Sequence, residues 1–444
     1  MTIKHFSALS GLYILSIFNS CSPARRVAVE AVSPRFIMVP PPGETIIPAT
    51  EKPEDQFLAD LFKTQPSLFN DILANRKELN VRVIYTQINR QADGTVRFTE
   101  HSFNKNNDRY FYPASTVKFP VVLLALQKLN ELKIAGLDKN STMITDAGFS
   151  GQQAAFNDPN TADGRPTIAG YIKKVLLVSD NDAFNRLYEF LGQEYINKEL
   201  HKKGYEGIQI LHRLNIFLSE TENRTTNRIR FFDSSNKLLY EVPVQVNRQQ
   251  YAKRNDLMGE GYYSAGKLVN QPMDFSKKNR MNLQDFNDII WSVIFPAEAK
   301  SSQRFNITEE DRRFVLQYMS EYPAESKYPF YDRKDYPDAF VKMLLFGSEK
   351  GTAPPSIRIF SKTGTAYGQL TEAAYIVDYD KNIEFMLSAT IDCNTDKIYN
   401  DDKYAYDSIG YPFLKNLGML LYKYELNRPG KIKADLSGMK FTYD

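Results

Sequence analysis

Tyr112-Pro113-Ala114-Ser115-Thr116-Val117-Lys118-Phe119-Pro120, continued by Val121-Val122-Leu123-Leu124-Ala125-Leu126, decides how this chain is read. The second run is apolar on every side of a helix, which predicts a helix buried all round. Ser115 and Lys118 stand three positions apart at its start and so share one face. A serine hydroxyl becomes a useful nucleophile when a base takes its proton. Lysine can be that base only as the neutral amine, roughly one molecule in a few thousand at pH 7 for an unperturbed side chain. The site must therefore depress the lysine pKa, through burial or a second cation. A helix start also directs unpaired backbone N–H groups, that of Ser115 among them, at the carbonyl under attack.

Ser-x-x-Lys alone carries little, because the same spacing recurs at Ser234, Ser264 and Ser437. Context separates Ser115 from these. Two strands are predicted before it, Val81 to Ile88 and Thr95 to Phe103, turning at Gln91-Ala92-Asp93-Gly94. Earlier helices are expected around Phe57–Phe62 and Leu68–Ala74. After a polar, glycine-bearing connection from Asp146 to Arg165, Thr167 reads as the cap of a helix over Ile168–Val178. A second helix runs from Ala183 to Leu191, leaving Ser179-Asp180-Asn181 on the corner between them. The plain reading of that triplet is a helix cap. Near the other end, a strand over Ile357–Ser361 runs into Lys362-Thr363-Gly364-Thr365. A hairpin follows, Ala373–Tyr379 with Ile383–Ile391, and then a last helix over Tyr406–Tyr424. Lys362 is a strand-borne cation beside a glycine that leaves room against the backbone. An edge-strand lysine that deters aggregation has the same appearance.

Residues 1–20 have the short polar start and apolar middle of an export signal, too short to span a membrane. Cys21, after Phe18-Asn19-Ser20, matches a bacterial lipoprotein cleavage box with Phe where Leu is usual, so lipidation at Cys21 is expected. Residues 21–54 carry Pro40-Pro41-Pro42-Gly43 and read as an extended tether. A domain over 55–430 follows, with an insertion near 216–281. The expected location is exported, periplasmic or cell-surface, anchored to a membrane by lipid. With Cys21 lipidated, Cys393 is the one cysteine left and no intramolecular disulfide forms. A net charge of +3 on 444 residues argues neither for nucleic acid nor for an anionic membrane surface as a partner, and no nucleic acid is expected. The four histidines lack ligand-like spacing, and Gly259-Glu260-Gly261 lacks the third glycine of a dinucleotide fingerprint, so neither metal nor organic cofactor is expected.

Ser-x-x-Lys opening a buried helix, Ser-Asp-Asn at a helix corner and Lys-Thr-Gly on a strand, in that order, resemble the signature of class A β-lactamases and penicillin-binding proteins. The resemblance implies an α+β fold: a five-stranded antiparallel sheet built from both chain ends, flanked by helices, with a mostly helical lobe between. It implies that Ser115 is acylated, Lys118 activates it, and Ser179 passes a proton to the leaving nitrogen. Asn181 would hold the substrate's side-chain amide, and Lys362 and Thr363 its carboxylate, with Lys362 also lowering the Lys118 pKa. Gly364 would give the strand clearance, and the N–H groups of Ser115 and Thr365 would form the oxyanion hole. The chain departs from class A where a Glu should activate the deacylating water: Asn215 falls about there, and Glu220 and Glu222 are the nearest carboxylates. It is also longer between Ile216 and Met281, where a hairpin over Arg228–Phe232 and Leu238–Val246 is expected to roof or narrow the cleft. The leading reading is a serine hydrolase opening a β-lactam amide. The alternatives are a D-alanyl-D-alanine carboxypeptidase or penicillin-binding amidase acting on peptidoglycan peptides, and a binding lipoprotein without turnover. Oligomeric state is not legible.

Overall fold

The computed structural model describes residues 55–443; the export signal, Cys21 and the tether lie outside the described residues. Five strands form the central antiparallel sheet: β1 (Arg82–Arg90), β2 (Val96–Phe103), β3 (Ile357–Ala366), β4 (Gln369–Asp378) and β5 (Ile383–Asp392). Their order is β3-β4-β5-β1-β2, so the two ends of the chain meet where β1 pairs with β5, Tyr85 opposite Leu387. The β1–β2 turn is fixed by Gly94 at φ +83° and by the Asp93 carboxylate, which accepts from the Thr95 amide at 3.0 Å. Every residue of β4 and β5 is buried, because helices cover both faces.

On one face pack the helices Gln56–Lys63, Pro66–Ala74 and Tyr411–Asn427, around Leu58, Phe62, Tyr85, Phe385, Phe413 and Leu417. The last of these is preceded by a wider π turn over Tyr406–Gly410, where a continuous helix was expected. On the other face lies the helical lobe. Its axis is Lys118–Leu132, whose residues from Lys118 to Gln127 are all buried, as an all-round apolar sequence requires. Around it pack Ile168–Val178, Asn181–Leu191, Leu283–Ile294 and Glu309–Ser320. Packing continues past residue 430: Leu436 is buried in this core, and the Tyr443 ring lies 4.0 Å from the Arg358 guanidinium.

The insertion departs from expectation. The hairpin Ile229–Phe232 with Leu238–Val242 does not roof the nucleophile; it pairs with Thr142–Thr145 in the lobe and buries Phe231 against Phe190. Alternating Ile229 and Phe231 give it an apolar face, and the lobe core is where that face is buried. A later part of the insertion reaches the site instead. Gly261–Ser264 and Lys267–Val269 form a hairpin that takes Ile398–Tyr399 as a parallel third strand. Phe275 then packs among Tyr110, Tyr112, Tyr367 and Tyr399.

Candidate active site

Ser115 sits in one turn of 3₁₀ helix, Ala114–Val117, and Lys118 is the first residue of the α-helix proper. The turn is tight because Pro113 O accepts both the Thr116 amide at 3.1 Å and the Thr116 hydroxyl at 2.7 Å. Ala114 is left-handed at φ +48°, a conformation that costs a non-glycine residue on the order of 1–3 kcal/mol and holds the serine out of regular helix. The edge strand β3 presses on this turn. A Cβ on Gly364 would stand 2.5 Å from Pro113 O and 3.1 Å from Ser115 N. Glycine is therefore the residue that lets Lys-Thr-Gly-Thr run alongside the nucleophile.

Lys118 is fully buried, and its amine donates to the Ser179 carbonyl, to Asn181 Oδ1 at 2.7 Å and to Ser179 Oγ at 3.3 Å. Burial lowers its pKa to about 7, against the opposing pull of Asp180. Lys362, also buried, donates to Ser179 Oγ and to its neighbour's carbonyl, Thr363 O, both at 2.8 Å. Burial holds Lys362 well below the usual lysine range, with the cations of Lys118 and Lys342 adding to the effect. Burial is thus the largest cause of the lowered Lys118 pKa, and repulsion between the two buried amines acts in the same direction. One hydroxyl, Ser179 Oγ, bridges them. The Ser115 hydroxyl has no hydrogen-bond partner among the described residues.

Ser179 and Asn181 reach Lys118 because of a helix corner. Ser179 ends Ile168–Val178 in the left-handed conformation at φ +60°, and Asp180 caps the next helix by accepting from the Ala183 amide at 2.7 Å. Capping and site duties are split within the triplet: the middle residue caps while its neighbours face the lysine.

Two cavities meet at Ser115 and Thr365. One, of about 320 Å³, is lined by Ser179, Thr363 and the largely apolar wall Val178, Pro337, Ala339, Phe340 and Val341. The other, of about 370 Å³, holds Asn181, Tyr112, Tyr367, Leu214 and Asn215. Lys362 and Gly364 line neither, lying beneath Ser179 and against the Ser115 turn; that strand lines the cavities through Thr363, which is buried, and Thr365, which is exposed.

The segment after the Ser-Asp-Asn corner is tightly held. Asn185 clamps Leu214 at both backbone groups, 2.9 Å each, and Asn279 Oδ1 accepts from the amides of Leu211 and His212. Arg213 and Glu189 form a fully buried ion pair at 2.6 Å. His212, its pKa lowered to about 4 by burial, stacks on Tyr112. These contacts place Leu214 and Asn215 on the second cavity beside Ser115, so this segment brings no carboxylate to it. Glu220 is engaged with Arg224 and Lys277 at the surface, and Glu222 closes a capping box with Ser219. Neither reaches Ser115's cavities.

Two residues of the cluster escaped sequence reasoning. Lys342 and Glu372 are fully buried behind β3, Glu372 opposite Thr363 in the β3–β4 register. Lys342 donates to Met319 O, and Glu372 Oε2 accepts from the Leu344 amide at 2.7 Å. Burial lowers the pKa of Lys342 and raises that of Glu372, each against the pull of the other's charge. The readable signal was a lone charge inside an apolar run, as in Val341-Lys342-Met343-Leu344.

Residues 68–240, which include Ser115, Lys118, Ser179 and Asn181, match the model of the beta-lactamase enzyme family. That stretch, about two fifths of the chain, is similar to the beta-lactamase enzyme family. No curated protein matches it at a significant level. Among solved structures it is similar to a β-lactamase from Xanthomonas campestris pv. campestris, at 11% identity and TM-score 0.43, over 83% of this chain and 98% of that one. A β-lactamase from Chitinophaga pinensis gives 12% and 0.43, over 81% and 98%. PBP-A gives 14% and 0.41, over 82% and 96%.

Proposed function

We propose that this chain is a penicillin-binding amidase of the serine β-lactamase type: Ser115 opens a β-lactam or D-alanyl amide, and the resulting ester persists. The observation that carries this reading is the clamped Leu214–Asn215 segment, which puts no carboxylate where a deacylating water needs its base. Acylation has what it requires. With a pKa of about 7, Lys118 is neutral in a large share of molecules at neutral pH and accepts the Ser115 proton. Ser115 Oγ bonds to the carbonyl carbon, and the oxyanion takes the N–H groups of Ser115 and Thr365. As the C–N bond breaks, Ser179 Oγ gives its proton to the leaving nitrogen and is reprotonated from Lys118. Lys362, donating to the same oxygen, keeps that hydroxyl oriented. Asn181 faces the acyl side, and Thr363 and Thr365 receive the leaving half with its carboxylate. Lipidation at Cys21 would hold this site beside the cell wall.

The test is intact mass against time after mixing with penicillin G, with Ser115→Ala alongside. A single Ser115-dependent adduct that lasts for hours is expected. An adduct that decays while hydrolysed drug accumulates would instead mean β-lactamase turnover, and absence of any adduct would remove acylation by this drug.

A further inference from the structure

The cavity on the Asn181 side carries chemistry that the acylation machinery does not use. Its outer wall is the loop after Ile398–Tyr399, which contributes Asn400, Asp402 and Tyr404 opposite Tyr112 and Tyr367. The insertion fixes this loop. Ile398–Tyr399 pairs with Gly261–Tyr262, Asn400 Nδ2 donates to Tyr263 O at 3.2 Å, and the Asn400 amide donates to the Tyr404 hydroxyl at 3.0 Å. Asn400 and Asp402 both hold left-handed backbones, at φ +59° and +60°, so the loop is shaped by side chains that tolerate that region.

Asp402 is the one carboxylate among the described residues lining either cavity at Ser115. It forms no ion pair among the described residues. Its neighbour Asp401 takes Lys403 at 3.9 Å, and Lys278 stands 5.8 Å from the centre of the Tyr367 ring. An unpaired carboxylate on a cavity that Tyr112, Tyr367 and Tyr404 also line is a setting that favours an ammonium, by charge and by ring quadrupole. The opposite cavity is largely apolar and has no charged lining residue.

We propose that the acyl half of the substrate bears a primary ammonium, seated between Asp402 and the tyrosines of this rim. The proposal rests on the reading above, which gives this cavity to the acyl group. It extends that reading to a substrate class: amine-bearing acyl donors over neutral ones.

Ampicillin and penicillin G differ by one ammonium on the acyl side chain and serve as the probe pair. Their equilibrium binding to full-length Ser115→Ala protein reads recognition without acylation. Ampicillin is expected to bind about three- to five-fold tighter, the range of a partly exposed ion pair. Asp402→Asn, which suits the left-handed backbone, should bring the ratio near one, Asp402→Glu should restore most of it, and raising the salt concentration should shrink it. A ratio of one or less in the parent, a ratio kept in Asp402→Asn, or no binding of either drug at millimolar concentration would overturn the proposal. So would an Asp402→Asn effect confined to adduct lifetime in the Ser115-intact protein, which would make Asp402 a group acting on water. Failure of wild-type acylation would strike the proposed function alone, since the binding ratio is read without it.

Discussion

Replacing Gly364 with alanine tests whether β3 is part of the nucleophile's machinery. The glycine is not in the left-handed region, so the substitution acts through space alone. Its Cβ would stand 2.5 Å from Pro113 O, 2.9 Å from Thr116 Cγ2 and 3.1 Å from Ser115 N. A carbon needs about 3.5 Å from such neighbours, so strand and turn must part by roughly 1 Å. Pro113 O cannot yield easily, since it holds both the amide and the hydroxyl of Thr116. The strand must therefore move, taking the Thr365 N–H from the carbonyl oxygen it should meet. A displacement near 1 Å costs about a hundredfold in rate, and overpacking about 1–3 kcal/mol in stability. The assay is the rate of Ser115 adduct formation with penicillin G, with a thermal melt to show that Gly364→Ala still folds. A folded variant that acylates within about threefold of wild type would refute the oxyanion role of this strand.

The proposed role of Lys118 as a neutral amine with a pKa of about 7 predicts acylation that rises with pH and levels off above pH 8. At pH 6 it should be about a tenth of the plateau, and Lys118→Arg, charged throughout, should not acylate; stopped-flow or mass time courses would show either failure. Leu214→Glu sets a carboxylate on a backbone that Asn185 already clamps beside the nucleophile, so the penicillin adduct should decay measurably faster than in wild type. Glu189→Ala strips the partner from fully buried Arg213 and should lower stability by about 3–5 kcal/mol in urea unfolding, with increased hydrogen exchange over residues 211–227.

Much of the site was legible because its local parts have local causes. Thr167 caps its helix through the Gly170 amide, where a Thr before an apolar-periodic run should place it. The all-round apolar sequence after Lys118 made a buried axis, and turn residues marked the β1–β2 and β4–β5 hairpins, while the β3–β4 hairpin went unread. The expected roof over the cleft failed because alternation in Ile229–Phe232 shows that one face is buried without saying against what; the lobe, not the cleft, covers it. The Glu220 and Glu222 alternative failed similarly: chain distance placed them near the site, while Arg224, Lys277 and the Ser219 cap hold them at the surface.

By itself, then, the sequence determined the residue types, the helix carrying Ser115 and Lys118, the corner carrying Ser179 and Asn181, and the strand carrying Lys362. These follow from periodicity, capping and turn chemistry within a few residues. Only the tertiary structure decided that Ser179 bridges two buried amines, that Lys342 and Glu372 sit behind the edge strand, and that Leu214 and Asp402 face the nucleophile. Those relations join positions up to hundreds of residues apart. Desolvation, which sets the lysine pKa values, is a property of what packs around a group and not of its neighbours in the chain.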